Sequence, residues 1–218
     1  MSEMFIFNGI ASLDLGVVMN EKWIDCLPEQ AYEEIEIEGR DGAIVTPLNY
    51  KLVSKEVPCT LLNKARINEV LSWLHGSGKL ELNGRYRKAA IFDGIEFTKH
   101  GMQRLDFSIP FLMEPFWYLE DEYKTVTTSV TNVGNIDAVP LIKVSGSGTA
   151  SLTVNDIVIG LDFSVANPIV IDCLEKTEDF PKAVSIGFSY PTLKPGANSI
   201  TTSGTITVQM KRKDRWIG

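Results

Sequence analysis

Thr205-Ile206-Thr207-Val208-Gln209-Met210-Lys211 places Ile206, Val208 and Met210 on one side of the chain and Thr205, Thr207, Gln209 and Lys211 on the other. A side-chain period of two is what a strand with one buried face requires, because successive residues of extended backbone point to opposite faces. Upstream, residues 141–144, 150–154 and 157–161 have the same alternating, β-branched character. Asn155-Asp156 suits a tight turn between the last two, and Gly146-Ser147-Gly148 reads as another turn. No helical period emerges after residue 124. Short strands at this spacing predict an antiparallel β-sandwich for the second half and a mainly β protein.

The first half is β-rich as well but interrupted. Residues 4–10 and 13–19 read as short strands, and Ile35 and Ile37 alternate with Glu34, Glu36 and Glu38, which predicts a strand with one acidic face. Gly39-Arg40-Asp41-Gly42 reads as a turn or loop, and residues 50–62 as a long strand-like stretch that Pro58 must bend or place at an edge. A helix is predicted over residues 64–75. Asn63 caps it, Gly76 stops it, and Ile67, Val70, Leu71 and Leu74 recur at helical spacing, so all four are expected to pack on the sheet. Residues 79–83, 86–92, 95–99 and 103–112 complete the strands, with Asp93-Gly94 as a hairpin signal.

Composition bounds the function. The chain has 218 residues, 44% hydrophobic and 22% charged, the balance of a folded soluble protein. No run approaches the roughly 20 apolar residues of a membrane span, and the start lacks a basic region followed by an apolar one. Neither membrane insertion nor export is expected. The formal charge of -7 belongs entirely to the first 124 residues, with 20 Asp+Glu against 13 Lys+Arg, whereas the remainder balances 8 against 8. Ser and Thr rise from 9 in the first part to 21 in the second. These shifts set a domain boundary near Glu122 to Thr125, giving domains 1–124 and 125–218.

The residues offer little reactive chemistry. Cys26, Cys59 and Cys173 are odd in number and far apart, which argues against a disulfide scaffold or zinc site and for folding in a reducing cytoplasm. Cys59 and Cys173 sit in apolar runs and are expected to be buried. His75 suits a helix C-terminus and His100 a turn, and neither has a partner for general-base work. Asp93 with Glu96, and the run Glu120-Asp121-Glu122, are the paired acids that a glycosidase would need, but a turn and a solvated charge run explain them. Lys211, Arg212, Lys213 and Arg215 are too few for a nucleic-acid stripe on an acidic chain. No catalytic residue, metal or cofactor is expected.

Particular residues are more specific than composition. Met4-Phe5-Ile6-Phe7-Asn8-Gly9, Leu13-Asp14-Leu15-Gly16, Glu38-Gly39-Arg40-Asp41-Gly42 and Leu71-Ser72-Trp73-Leu74-His75-Gly76-Ser77-Gly78-Lys79-Leu80 resemble, in that order, the N-terminal domain of distal tail proteins of long-tailed siphophages and related prophages. Residues 107–114 running into Pro115-Phe116-Trp117-Tyr118 resemble the end of that domain. Asn132-Val133-Gly134, Ala138-Val139-Pro140, Ile169-Val170-Ile171-Asp172 and residues 190–200 resemble its C-terminal galectin-like sandwich.

The resemblance implies an N-terminal β-sandwich-type domain with one α-helix, followed by a galectin-like antiparallel sandwich. It implies a structural protein of the virion tail tip, assembled in the host cytoplasm. The N-terminal domains would form a hexameric ring joining the tail tube protein to the tail-associated hub protein, and the C-terminal domains would face outward, where some members carry receptor-binding or baseplate proteins. This chain has no long insertion in its second half to form a grasping arm. Trp23, Trp117, Tyr118 and Trp216 are of the types enriched in interface cores, and equally in monomer cores. DNA would only pass through the ring, so Glu34, Glu36 and Glu38 are candidate lumen-facing acids. The rival reading is a carbohydrate-binding module, since fold alone does not fix function. The resemblance to sugar-binding galectins fails at their histidine and tryptophan positions, because both histidines precede residue 124 and only Trp216 follows it.

Overall fold

The computed structural model, which describes residues 4–187 and 189–218, is built almost wholly from antiparallel strands with one short α-helix. Its residues group into two units, one holding the described residues up to Trp117 together with Ile217–Gly218, the other Tyr118–Trp216.

In the first unit the strands are β1 (Ile6–Phe7), β2 (Ile10–Ala11), β3 (Val17–Met19), β4 (Gln30–Glu36), β5 (Ala43–Tyr50), β6 (Val53–Leu61), β7 (Gly76–Leu82), β8 (Arg85–Ile91), β9 (Thr98–His100) and β10 (Arg104–Met113). They form a sheet in the order β2-β1-β7-β8-β10-β6-β3, with β9 paired to β10, while β4 and β5 stand apart as a two-stranded hairpin. The predicted strand over 4–10 is broken at Asn8 and Gly9, both at positive φ, and part of 13–19 winds into a 3-10 turn over Ser12–Leu15. Pro58 lies inside β6 opposite Ser108. Its carbonyl accepts from Asn20 N (2.9 Å), one residue past the end of β3, so the missing N–H faces the side where the neighbouring strand has stopped.

The one α-helix among the described residues, α1 (Ile67–Trp73), follows a 3-10 turn over Lys64–Arg66, and Asn63 Oδ1 accepts from Ala65 N (3.1 Å) as the predicted cap. The helix is shorter than expected, and its stripe is corrected. Val70, Trp73 and Leu74 are buried, but Leu71 is 42% exposed. Trp73 is the anchor, stacking on Phe5 with centroids 5.6 Å apart and donating Nε1 to the carbonyl of Phe7 at 2.8 Å. Phe111 closes the aromatic core edge-on to both Phe5 and Phe7.

The Asp93-Gly94 hairpin is not formed. Residues 92–97 are irregular, and β9 pairs with β10 instead of β8, so His100 ends a strand and Gly101 (φ 74°) makes the turn. The tight hairpin of this region is β7–β8, closed by Asn83-Gly84, with Leu82 opposite Arg85 and positive φ at both turn residues as a type I′ turn demands.

The chain continues through β11 (Phe116–Leu119) into the second unit, which holds β12 (Lys124–Val126), β13 (Ser129–Asn132), β14 (Leu141–Val154), β15 (Ile157–Asp162), β16 (Ile169–Asp172), β17 (Thr177–Glu178), β18 (Val184–Ile186) and β19 (Gly196–Lys211), and β20 (Arg215–Ile217) begins in the second unit and ends in the first. The alternating stretch 205–211 is the end of β19, with Val208 and Met210 buried as predicted. Two long strands, β14 and β19, pair along most of their length with a bulge between Ser147 and Ser151. Gly146-Ser147-Gly148 is not a turn between strands: Gly146 and Ser147 still pair with Ile206 and Thr205, and the bulge falls on residues 148–150, opposite Gly204. Gly148 takes a positive φ, and a Cβ on Gly146 would lie 2.7 Å from Ile206 Cγ2. On one side of the bulge β14 pairs with β16 and β19 with β12, and on the other β14 pairs with β15 and β19 with β13. One ribbon thus serves both layers. Ile142, Val144, Leu152, Val154, Ile159 and Ile171 fill the core between them.

Candidate subunit-contact surface

Reactive groups stay dispersed. Among the described residues no group of three or more His, Cys, Asp and Glu side chains has the geometry to hold a metal ion. Asp93 and Glu96 line a hollow of about 680 Å³ on the first unit together with Glu56 and Asp106, and Asp106 accepts from Thr60 Oγ1 at 2.6 Å. His75 is exposed beside the end of α1. Cys59 and Cys173 are buried, which pushes both thiols up to about 12, and Cys26 is exposed.

The 120–122 run is not simply solvated, as expected, because Asp121 is an internal partner. Its carboxylate accepts from Arg212 N at 2.6 Å and lies 3.6 Å from Arg212 Nε, and the same guanidinium reaches Asp214 at 3.1 Å. Asp214 is 1% exposed, and burial raises its carboxyl above the ordinary value although Arg212 pulls the other way. The basic residues near 211–215 are spent similarly. Lys213 pairs with Asp172 at 3.3 Å, Lys211 lies over the Tyr123 ring, and Arg215 donates to the carbonyl of Asp137.

The unusual surface is the β4–β5 hairpin. Register pairs Tyr32 with Pro47, Glu33 with Thr46, Glu34 with Val45, Ile35 with Ile44 and Glu36 with Ala43. Directly opposed residues share a face, so Ile35 and Ile44 project one way, while Glu34 and Glu36 project the other with Val45 and Ala43. Glu38 lies beyond the strand, in a turn where Arg40 N donates to the carbonyl of Ile37 (3.1 Å) and Gly39 takes φ 79°. All three candidate acids are exposed.

Neither face is covered. Tyr32, Ile35, Ile37, Ile44, Val45 and Leu48 are between 39% (Ile44) and 63% (Tyr32) exposed. The hairpin also concentrates the charge of its unit, since residues 29–51 hold six carboxylates against two cations. Its base is tied by Lys51 N to the carbonyl of Glu29 (2.8 Å), by the Lys51–Glu29 ion pair and by Gln30 Nε2 to the carbonyl of Leu48 (3.0 Å).

The segment leading into the hairpin is held by a cluster that the sequence did not reveal. Asp25 accepts from the indole N–H groups of Trp23 and Trp117, each at 2.8 Å, and sits 3.4 Å from Arg87. The Arg87 guanidinium lies 4.0 Å over the Trp117 ring, and burial lowers its pKa to about 10 against the pull of Asp25. A tryptophan–arginine–aspartate cluster drawn from three distant stretches leaves no local pattern to read. It places Trp117 in the core, as Tyr118 is, and leaves Trp23 and Trp216 half-buried.

A second uncovered apolar surface lies on the same unit. Leu71, exposed on α1, borders a groove of about 240 Å³ with Leu74, His75, Ile91, Phe92 and Ile95, and Phe92 is 74% exposed.

No known family profile matches the chain, and no curated protein sequence does. Solved structures do. The crystal structure of the Dit protein of phage SPP1, described as a paradigm of the hub adsorption apparatus in phages infecting Gram-positive bacteria, superposes with a TM-score of 0.71 at 13% identity, over 97% of this chain and 99% of that one. A chain of the phage P2 baseplate in its activated conformation with Ca matches over 98% of both chains at 9% identity, with a TM-score of 0.42. The SPP1 superposition shows the mainly β, Dit-like fold that the sequence resemblance implied, across almost the whole chain.

Proposed function

We propose that this chain is a structural protein of a phage tail tip, whose first unit self-associates into a hexameric ring between the tail tube protein and the tail-associated hub protein. The observation that carries this reading is the β4–β5 hairpin, with large apolar side chains exposed on both faces. A two-stranded hairpin is marginal in water and an exposed apolar ribbon is a site of association, so such an element is explained when another subunit covers it. Likeness to the SPP1 hub protein supports the setting. The second unit has the outward role, available to receptor-binding or baseplate proteins. Glu34, Glu36 and Glu38 face the lumen through which DNA leaves, where carboxylates repel phosphate.

Light scattering over a wide concentration range, alone and with the hub protein, tests the ring. A species of six 24.2 kDa chains is expected. A strict monomer that also fails to join tail partners refutes it. A density map of the assembled ring tests the lumen assignment, which fails if the three acids lie on the outer rim.

A further inference from the structure

We propose that the apolar face of the hairpin of one copy, carried by Ile35, Ile37 and Ile44, seats in the groove between Leu71 and Phe92 of the next copy. The inference rests on the ring reading and adds where the subunits touch. Scattered apolar side chains are ordinary on a surface, but contiguous ones are not, and the first unit presents two such patches, a projecting ribbon and a groove. At about 30 Å³ for each heavy atom's worth of liquid water, the ~240 Å³ groove holds about eight heavy atoms, the side chains of two of the three isoleucines, with the third at its rim.

Charge selects the same groove over the larger hollow of that unit. The hairpin carries six carboxylates against two cations, and the larger hollow is lined by Glu56, Asp93, Glu96 and Asp106, which would repel it. The apolar groove has only Asp93 and His75 as titratable neighbours. Docking through Ile35 and Ile44 leaves Glu34 and Glu36 on the opposite face, and the one strand carboxylate on the isoleucine face, Glu33 opposite Thr46, lies on the side of Ile35 away from Ile37, at the edge of the contact. The two patches are different surfaces of one chain. Their contact is therefore heterologous, and repeating it generates a ring when the rotation closes.

The test is cross-linking in a Cys26→Ser background, so that the exposed native thiol does not react. Ile37→Cys and Phe92→Cys are made singly and together, and each protein is treated with a short bismaleimide after light scattering has scored its assembly. The expected result is a covalent ladder from dimer to full ring in the double variant and no ladder in either single variant. Phe92→Glu in the otherwise native chain should lower ring assembly at least tenfold with an unchanged thermal midpoint, because the side chain supports nothing within the monomer. A ring whose double variant stays uncross-linked overturns the docking assignment while leaving the ring intact. So does a ring in which Ile37→Cys alone gives dimers, the mark of hairpin meeting hairpin, or one that Phe92→Glu leaves unchanged. If the native chain forms no ring with or without tail partners, the ring reading itself fails and this contact with it.

Discussion

At the scale of single residues, the pieces of sequence that carry the resemblance turn out to be positions where the backbone permits little else. Gly134 leaves no room for a Cβ, which would lie 2.2 Å from the carbonyl oxygen of Arg215. Asn132 beside it is buried and saturated, donating to the carbonyls of Ile136 (3.0 Å) and Leu193 (2.8 Å) and accepting from Gly134 N (2.8 Å). Gly134→Ala should therefore destabilise by about 1 to 3 kcal/mol through overpacking, read by chemical denaturation; a neutral result would mean the Arg215 strand can shift aside. Charge at this scale is equally specific. Burial raises the Asp214 carboxyl above its unfolded value, so the folded state holds that proton more tightly than the unfolded chain does. The stability linked to that proton is complete below the unfolded value near 3.9 and is lost as pH rises through the folded one. Asp214→Asn, which abolishes the ionisation, should compare with the native protein more favourably at pH 7.5 than at pH 4.5 in thermal midpoint. The opposite order would show that pairing with Arg212 outweighs burial. Thiols divide in the same way, since maleimide at pH 8 should modify one cysteine, Cys26, in the folded protein and three after denaturation.

At the scale of elements, legibility in the sequence followed the reach of the interaction. Alternation in 205–211, the Asn155-Asp156 turn and the Asn63 cap depend on neighbours within a few residues, and each is present. Asp93-Gly94 had the chemistry of a tight turn, but the competing turn at residues 101–103 folds β10 back onto β9, with Arg104 opposite His100, so here two local signals competed and reach did not decide. Asn83-Gly84 carried the same signal and was not read, though it closes β7 to β8. The helix shows the limit most clearly. Period alone put Ile67, Val70, Leu71 and Leu74 on one stripe, yet a seven-residue helix entered from a 3-10 turn rotates Leu71 out of the core and leaves Trp73, outside the stripe, as the anchor. Leu71→Ala is accordingly expected to change the stability of the monomer by no more than about 0.5 kcal/mol. Trp73→Ala should cost about 3 to 5 kcal/mol, because it removes the stack on Phe5 and the hydrogen bond to Phe7. Equal effects in urea unfolding would mean that the helix packs as the period suggested. The same reasoning separates the two faces of β4. The acidic alternation was plain in the sequence, but that Ile35 and Ile44 oppose it on an equally uncovered face follows only from the register.

At the scale of the whole molecule, charge and apolar surface act on assembly in opposite directions. Each chain carries a formal -7, and in the first unit the excess lies on the hairpin that is proposed to make the subunit contact. In the proposed ring six converging hairpins would bring their carboxylates together, so repulsion would oppose closure while burial of Ile35, Ile37 and Ile44 would drive it. Salt acts on the first term and barely on the second. The Debye length falls from about 30 Å at 0.01 M to about 8 Å at 0.15 M, which removes repulsion between neighbouring hairpins and leaves the apolar contact intact. Ring assembly is therefore expected to strengthen as ionic strength rises across that range, measured as the concentration at which half the chains are assembled. Replacing Glu34, Glu36 and Glu38 together by Gln should strengthen assembly at low salt and flatten its salt dependence, since these side chains share the crowded surface without touching the apolar seat. Rings that instead dissociate as salt is added would show that ion pairs hold the subunits, and the acidic face of β4, not its isoleucine face, would then be the one turned toward the neighbouring subunit.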